Sequence, residues 1–315
     1  ELRLFASEAS EGQTRTCAEK KWPIQVLKNS PEGNCFAGLD LVFFSSGDDI
    51  SRDWAPLAVQ AGAVAVDNSA AFRMNPDFHL VVPEVNGDLL PKSKENGGKP
   101  TIIANPNCST IQLVVALAPL AAEFGLKSVR VASYQSVSGA GRFGIEELLT
   151  TTRISIEGED VTKSAVFPAP IAFNCIPQIG AIGEDGFCSE ETKIMKETPK
   201  ILRLPQLPVS AFTVRVPTLN SHAEAVWVTL EKKVELKDLE KCLEKAAGIE
   251  YCKQGQGLGY STQKTTSGTD PVYVGRLHRD ATDSQTWLMW VVSDNLRKGA
   301  ALNGIQIAEH VFDLK

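Results

Sequence analysis

Four histidines, none of them in an H-x-x-x-H pair, leave this chain little material for a metal centre. The seven cysteines are scattered and none stands in a C-x-x-C pair, which argues against a zinc or dithiol motif and favours a reducing compartment without structural disulfides. A net charge of -6 gives no basic footprint for nucleic acid. The apolar runs are too short and too interrupted to span a bilayer. No secretory signal, internal repeat or low-complexity stretch is visible. What remains is an ordinary globular composition, 43% hydrophobic, at a length of 315 residues that suits two domains or one large one.

The first hundred residues alternate short apolar runs with connecting segments. Leu41-Val42-Phe43-Phe44-Ser45, Ala63-Val64-Ala65-Val66-Asp67, His79-Leu80-Val81-Val82 and Thr101-Ile102-Ile103-Ala104 read as strands covered on both faces, with a helix over Trp54 to Ala61. That is the pattern of a doubly wound parallel α/β sheet. Lys92 to Lys99 reads as a polar loop. Further on, Ala211 to Val216, Ala225 to Leu230, Val272 to Arg276 and Trp287 to Val292 are more alternating, with an amphipathic helix over Leu236 to Ala247. These predict a second, α+β domain whose mixed sheet carries helices on one side. A last helix, Gly299 to Val311, is expected to return to the first domain. The chain opens on Glu1 rather than Met, in a segment that reads as a strand entered midway, so a fragment is expected.

The most informative stretch is Asn105-Pro106-Asn107-Cys108-Ser109-Thr110. Pro106 stops a strand, Asn107 can cap the helix that follows, and Cys108 falls at the helix N-terminus. Free N–H groups and the helix dipole there predict a lowered thiol pKa and a nucleophile. A glycine motif, Gly139-Ala140-Gly141-Arg142-Phe143-Gly144, fits G-x-G-x-x-G between a strand-like and a helix-like run. A dinucleotide fold opening there would need a second strand ending in an acidic residue, and Ser155 to Asp160 is polar instead. The motif then reads as a tight loop, or as a loop lining the reacting end of a cofactor and substrate.

Taken together, Cys108, Ser138-Gly139-Ala140-Gly141, and Arg215-Val216-Pro217 with His222-Ala223-Glu224 resemble the aspartate-β-semialdehyde dehydrogenases. Asp67-Asn68-Ser69-Ala70-Ala71-Phe72-Arg73-Met74, Val82-Pro83-Glu84-Val85-Asn86 and Asp294 to Asn303 extend the resemblance, in family order, from Leu2 to the C-terminus. The resemblance implies a homodimer or homotetramer that reduces aspartyl-β-phosphate to the semialdehyde with NADPH, in lysine, threonine and methionine biosynthesis. It implies a cytoplasmic or, in a photosynthetic eukaryote, plastid enzyme with a small-molecule substrate. The implied domains are 1–109 plus 296–315 for the dinucleotide and 110–295 for catalysis and dimerisation.

The resemblance also assigns roles. Cys108 would attack the acyl phosphate to give a thioester, Gln135 would orient the acyl group, and His222 would be the general acid/base, with an unperturbed pKa near working pH. Arg215 would pair with the α-carboxylate and Glu190 with the α-ammonium, Glu191 being the rival. Arg73, Asn107 and Lys193 would hold the phosphate. Ser7, Ser10, Ser45, Ser46, Gly47, Ser138, Gly139 and Asn295 would meet the cofactor. Each has a plainer alternative: His222 as a surface histidine, Arg215 as a solvated edge charge, Arg73 as a turn cap. Two features depart from the family. Its opening strand and G-A-T-G-x-V-G turn are not in this sequence, and Ala9 stands where an arginine often meets the 2′-phosphate, with Glu8 and Glu11 beside it. Competing functions are a related acyl-phosphate reductase, such as the N-acetylglutamyl-phosphate enzyme, and a non-catalytic or truncated paralogue acting as an oligomer partner.

Overall fold

The computed structural model describes residues 1–28, 34–91 and 100–314, so the Lys92 to Lys99 segment lies outside it. Strands β1 (Leu4–Ala6), β2 (Thr14–Cys17) and β3 (Lys20–Val26) form a small sheet in the order β1-β3-β2. Strands β4 (Leu41–Phe44), β5 (Val64–Asp67), β6 (His79–Leu80) and β7 (Ile102–Ala104) form a separate, all-parallel sheet in the order β4-β5-β7-β6. The parallel region is thus two sheets rather than one. Packing joins them: Phe36 meets the rings of Phe5, Phe44 and Trp54 edge-on at 5.7, 5.9 and 6.1 Å.

Both faces of the four-stranded sheet are covered, as its continuous apolar strands require. Helix α1 (Asp48–Gln60) packs Ala55 and Ala58 against the face carrying Ala65, Ile102 and Ala104. Alternate residues Val64, Val66 and Ile103 meet Ile307 and Val311 of the C-terminal helix on the other face. A one-turn helix α2 (Pro83–Asn86) follows β6.

Helix α3 (Cys108–Phe124) leads into the second unit, whose remaining elements are β8 (Leu126–Gln135), α4 (Gly141–Ile156), α5 (Ser189–Leu202), β9 (Val209–Arg215), β10 (His222–Leu230), α6 (Leu236–Glu244), β11 (Ile249–Cys252), α7 (Gln263–Thr266), β12 (Val272–Arg279) and β13 (Thr286–Ser293). Its sheet runs β11-β12-β13-β10-β8-β9 and is mixed, with β8/β9 and β11/β12 parallel. Helices α3, α5 and α6 pack on one face. Helix α3 is buried nearly all round, because it packs on the six-stranded sheet and is flanked by α2, α5 and α6. A π-helical turn, Arg297–Ala301, leads into α8 (Leu302–Phe312). Among the described residues no helix is long and apolar enough to cross a membrane.

Candidate active site

Three parallel strands end at the same level, with Phe44, Asp67 and Ala104 in register. The loops beyond them build a site at the C-terminal edge of the sheet, where open α/β sheets bind ligands. Asn68 and Asn105 are joined there by a 2.6 Å side-chain hydrogen bond, and Asn303 of α8 donates to the Asn105 carboxamide at 2.6 Å. This ladder fixes the loop that enters α3. Asn107 caps the helix as its sequence predicts, accepting from the N–H groups of Ser109 and Thr110 at 3.0 and 3.2 Å. Cys108 is the first helical residue.

The second domain supplies a row of side chains from three neighbouring strands. His222 of β10 stands opposite Gln135 of β8, which stands opposite Arg215 of β9, with Ser293 of β13 on the far side of His222. Residues paired across a sheet project from the same face. Val137–Ala140 then crosses above the row as a 3-10 turn, and α4 starts at Gly141. A methyl group at Gly139 would lie 2.9 Å from Arg215 Nη1 and 3.1 Å from His222 Nε2, so a larger residue here would push on both side chains. The glycine motif therefore covers the row and opens no dinucleotide fold.

A cavity of about 510 Å³ joins the two halves, lined by Arg73, Asn107, Cys108, Gln135, Ser138, Gly139, Glu190, Lys193, Arg215 and Asn295, with Asp48, Asn68, Ser69 and the Leu296, Gly299 and Ala300 face of the π-turn. His222 lies buried behind Gly139, and Arg215 is buried too, its guanidinium donating to the Ser136 carbonyl at 2.6 Å and lying 5.8 Å from the Phe167 ring. Neither is a surface charge. Ser45, Ser46 and Gly47 sit on the exposed turn between β4 and α1, and Ser7 and Ser10 on the turn after β1; none of the five lines the cavity.

The electrostatics differ from the sequence expectation at both reacting groups. Burial, then the Glu190 carboxylate, push the Cys108 thiol up to about 12, against Arg73, Arg215 and the Ser109 N–H. The helix N-terminus does not compensate for taking the sulfur out of water. Burial, then the Arg215 guanidinium, push His222 down to about 3, so its ring is neutral at working pH. The Ser136 N–H donates to Nδ1 at 3.1 Å, which leaves the proton of the neutral ring on Nε2. Nε2 has no hydrogen-bond partner among the described residues.

Helix α5 settles which acid faces the cavity. Glu190 Oε1 accepts from Asn107 Nδ2 at 2.8 Å and Gln135 Nε2 at 3.3 Å, and Oε2 meets Lys193 Nζ at 3.3 Å. Burial opposes its charge, but Lys193 and the Asn107 N–H hold it below the usual carboxylate range. Glu191 instead accepts the Cys188 and Thr213 N–H groups at 2.8 Å each, a capping role. Two of the expected phosphate ligands are heavily engaged. Arg73 donates to Asn105 O, Asn68 O and Glu197 at 2.9, 2.8 and 3.1 Å, and the Asn107 side chain serves the helix cap and Glu190. Glu197, unforeseen from the sequence, also accepts the Asn107 N–H at 2.7 Å. Its signal was present: Glu190, Lys193 and Glu197 share one helical face. Asn295 is buried, exchanging hydrogen bonds with Ser138 at 3.0 and 3.1 Å. No group of three or more potential metal-ligating side chains occurs among the described residues.

Profiles of two protein families match the chain: the semialdehyde dehydrogenase NAD binding domain over residues 1–93, and the semialdehyde dehydrogenase dimerisation domain over residues 117–298. Aspartate-semialdehyde dehydrogenase of Aquifex aeolicus is 43% identical over 98% of this chain and 89% of its own length. The crystal structure of the Vibrio cholerae aspartate semialdehyde dehydrogenase II complexed with ASA superposes with a TM-score of 0.90 at 41% identity, covering 98% of this chain and 89% of that one. The Candida albicans aspartate semialdehyde dehydrogenase with NADP gives a TM-score of 0.72 at 26% identity, over 98% and 90%. With Cys108, Gln135, Arg215 and Glu190 gathered on one cavity and the likeness running the length of the chain, this protein belongs to the aspartate-semialdehyde dehydrogenase family.

Proposed function

We propose that the chain catalyses the reversible, NADP-dependent reduction of aspartyl-β-phosphate to aspartate-β-semialdehyde through a thioester on Cys108. Residues 1–109 plus 296–315 form the dinucleotide domain and 110–295 the catalytic and dimerisation domain. The observation that carries this reading is the row His222, Gln135, Arg215 set against the Cys108 helix around one cavity. Arg215 takes the α-carboxylate in bidentate fashion. Glu190, buried and ionised, takes the α-ammonium, which favours an amino-acid substrate over an N-acylated one. Lys193 and the free N–H groups of Arg73 hold the phosphate.

In the acylation step Cys108 Sγ bonds to the acyl carbon and the acyl–oxygen bond to phosphate breaks. The thiol gives up its proton as the bond forms, and that proton leaves on the departing group, giving hydrogen phosphate. His222, neutral and protonated at Nε2, donates to the oxyanion formed at the acyl carbon; a neutral imidazole acts here as an electrophile. NADPH, when bound, would supply the hydride chemistry. Ser138, Gly139 and Asn295 line the cavity and would meet its nicotinamide, the Asn295 carboxamide being held by Ser138. The test is NADPH formation by purified protein from aspartate semialdehyde, phosphate and NADP, with NAD compared and Cys108→Ser as control. No turnover, or turnover in the Cys108→Ser variant within tenfold of the parent, would remove the reading.

The second copy of the dimer docks on the face of the six-stranded sheet that α3, α5 and α6 leave uncovered, where Tyr134 meets Trp290 at 5.5 Å and Phe212 is 55% exposed. Phe212→Glu should shift sedimentation towards the monomer.

A further inference from the structure

The catalytic row rests on a second row one step further along the same strands and the same face. Glu224 of β10 stands opposite Ser133 of β8, which stands opposite Thr213 of β9, and all three are fully buried. The row below that, Val226, Val131 and Ala211, is apolar core. A polar layer thus separates the site from the core, and its centre is a carboxyl group with no cation beside it.

The layer reaches both sides of the active site. Gln112 lies one turn along α3 from Cys108, and its Oε1 accepts from the Ser293 hydroxyl at 2.7 Å. Ser293 flanks His222 in the catalytic row. With Oε1 engaged, Gln112 has its amide nitrogen left for Glu224, the group whose carboxyl it faces. Neither carboxyl oxygen, nor Gln112 Nε2, has a hydrogen-bond partner among the described residues. Ser133, opposite Glu224, accepts from Gln135 Nε2 at 3.3 Å. Burial without a charge partner holds the Glu224 carboxyl well above its usual range, which favours the uncharged acid, with one O–H to give and one carbonyl oxygen to accept.

We propose that Glu224 is a positioning residue which, paired with the Gln112 amide that Ser293 holds, sets the height of the Cys108 helix over His222 and Gln135. This rests on the roles given above to Cys108 and His222. The physical reason is distance control. Helix α3 meets the sheet through apolar packing and through the Ser293–Gln112 hydrogen bond, and apolar contacts alone would leave it free to slide by fractions of an ångström. A hydrogen-bonded bridge between Gln112 and the strands does not, and a misplacement of about 1 Å at a reacting centre costs roughly 100-fold in rate.

The test compares Glu224→Gln, Glu224→Leu and Gln112→Leu in the full chain. Each is measured for thermal midpoint, kcat, KM for aspartate semialdehyde, and the rate of Cys108 alkylation by iodoacetamide in the absence of substrate. Glu224→Leu and Gln112→Leu should each lower kcat roughly 10- to 100-fold with KM within twofold. The double variant should lose no more than either alone, because both break one bridge. Glu224→Gln, neutral and of the same shape with an N–H in place of the O–H, should restore kcat to within threefold of the parent. Alkylation rates should follow kcat across the set. Leucine variants with parent kcat and alkylation rate would overturn the proposal, as would a glutamine variant no better than leucine, since that would demand an ionising group. Should Cys108→Ser prove active while the alkylation rates still follow the bridge, the roles of Cys108 and His222 fail and the positioning of the helix stands.

Discussion

Replacing Gly299 with alanine tests how tightly the nucleophile is held. The added methyl would lie 3.0 Å from Cys108 Cβ, 3.4 Å from its Cα and 3.5 Å from Asn295 Cβ. Carbon atoms in contact sit about 3.5–4.0 Å apart, so movement of a few tenths of an ångström is required. The π-turn cannot easily supply it, because Lys298 is buried on Glu84, Asn303 and Gln306 with bonds of 2.6–2.9 Å. The movement falls on Cys108 and the first turn of α3. A displacement of that size is expected to cost roughly 10-fold in kcat, about 1.4 kcal/mol of transition-state stabilisation. The assay is kcat and KM in the semialdehyde-oxidising direction beside a thermal melt, with Gly304→Ala as control. A methyl at Gly304 meets Phe43 and Val66 at ordinary distances of 3.5–3.7 Å and should leave kcat unchanged. A Gly299→Ala enzyme within twofold of the parent would refute the reasoning.

The resting thiol, raised to about 12, should alkylate at a rate that climbs with pH up to at least pH 10, and a plateau near neutrality would contradict its burial. His222 is neutral in the folded state down to about 3, whereas the unfolded chain takes up its proton near 6.5. Stability should therefore fall as pH drops through that window, by up to about 1.4 kcal/mol per unit, and the His222→Asn variant should lack this part of the acid dependence in denaturant titrations. Arg215→Lys should chiefly raise KM, because a point charge cannot reproduce the bidentate fork, while His222→Asn should chiefly lower kcat; steady-state kinetics showing the reverse would exchange their roles. Glu191→Gln should lower the unfolding free energy by about 2–3 kcal/mol with little change in KM, since its carboxylate serves two backbone N–H groups, whereas Glu190→Gln should raise KM with a small change in the melt.

Local signals carried the sequence reading far. Pro106 and Asn107 announced the start of α3, and the alternating runs announced β9, β10, β12 and β13. What stayed hidden depends on register and depth. Nothing in the sequence says that His222, Gln135 and Arg215 share a row, because the pairing of β8 with β9 and β10 joins residues about 80 positions apart. Burial was hidden for the same reason: the helix dipole argued for a low thiol pKa, and only the enclosing sheet reverses it. The hairpin of β2 and β3 was missed because Lys20, Lys21 and exposed threonines mask its alternation. Gly299 gave no sign of its close approach to Cys108, since a glycine in a helical pattern reads as a cap or a tolerated defect.

The shared row also makes the active site a gauge of folding. Three of its groups come from separate strands, and a slip of one residue in β10 against β8 would turn His222 to the opposite face and bring Ala223 into its place. No partly paired sheet could present the three groups together. Recovery of activity during refolding should then lag behind helix formation and coincide with completion of the six-stranded ladder. A chain with native-like helix content but mispaired strands would be catalytically silent.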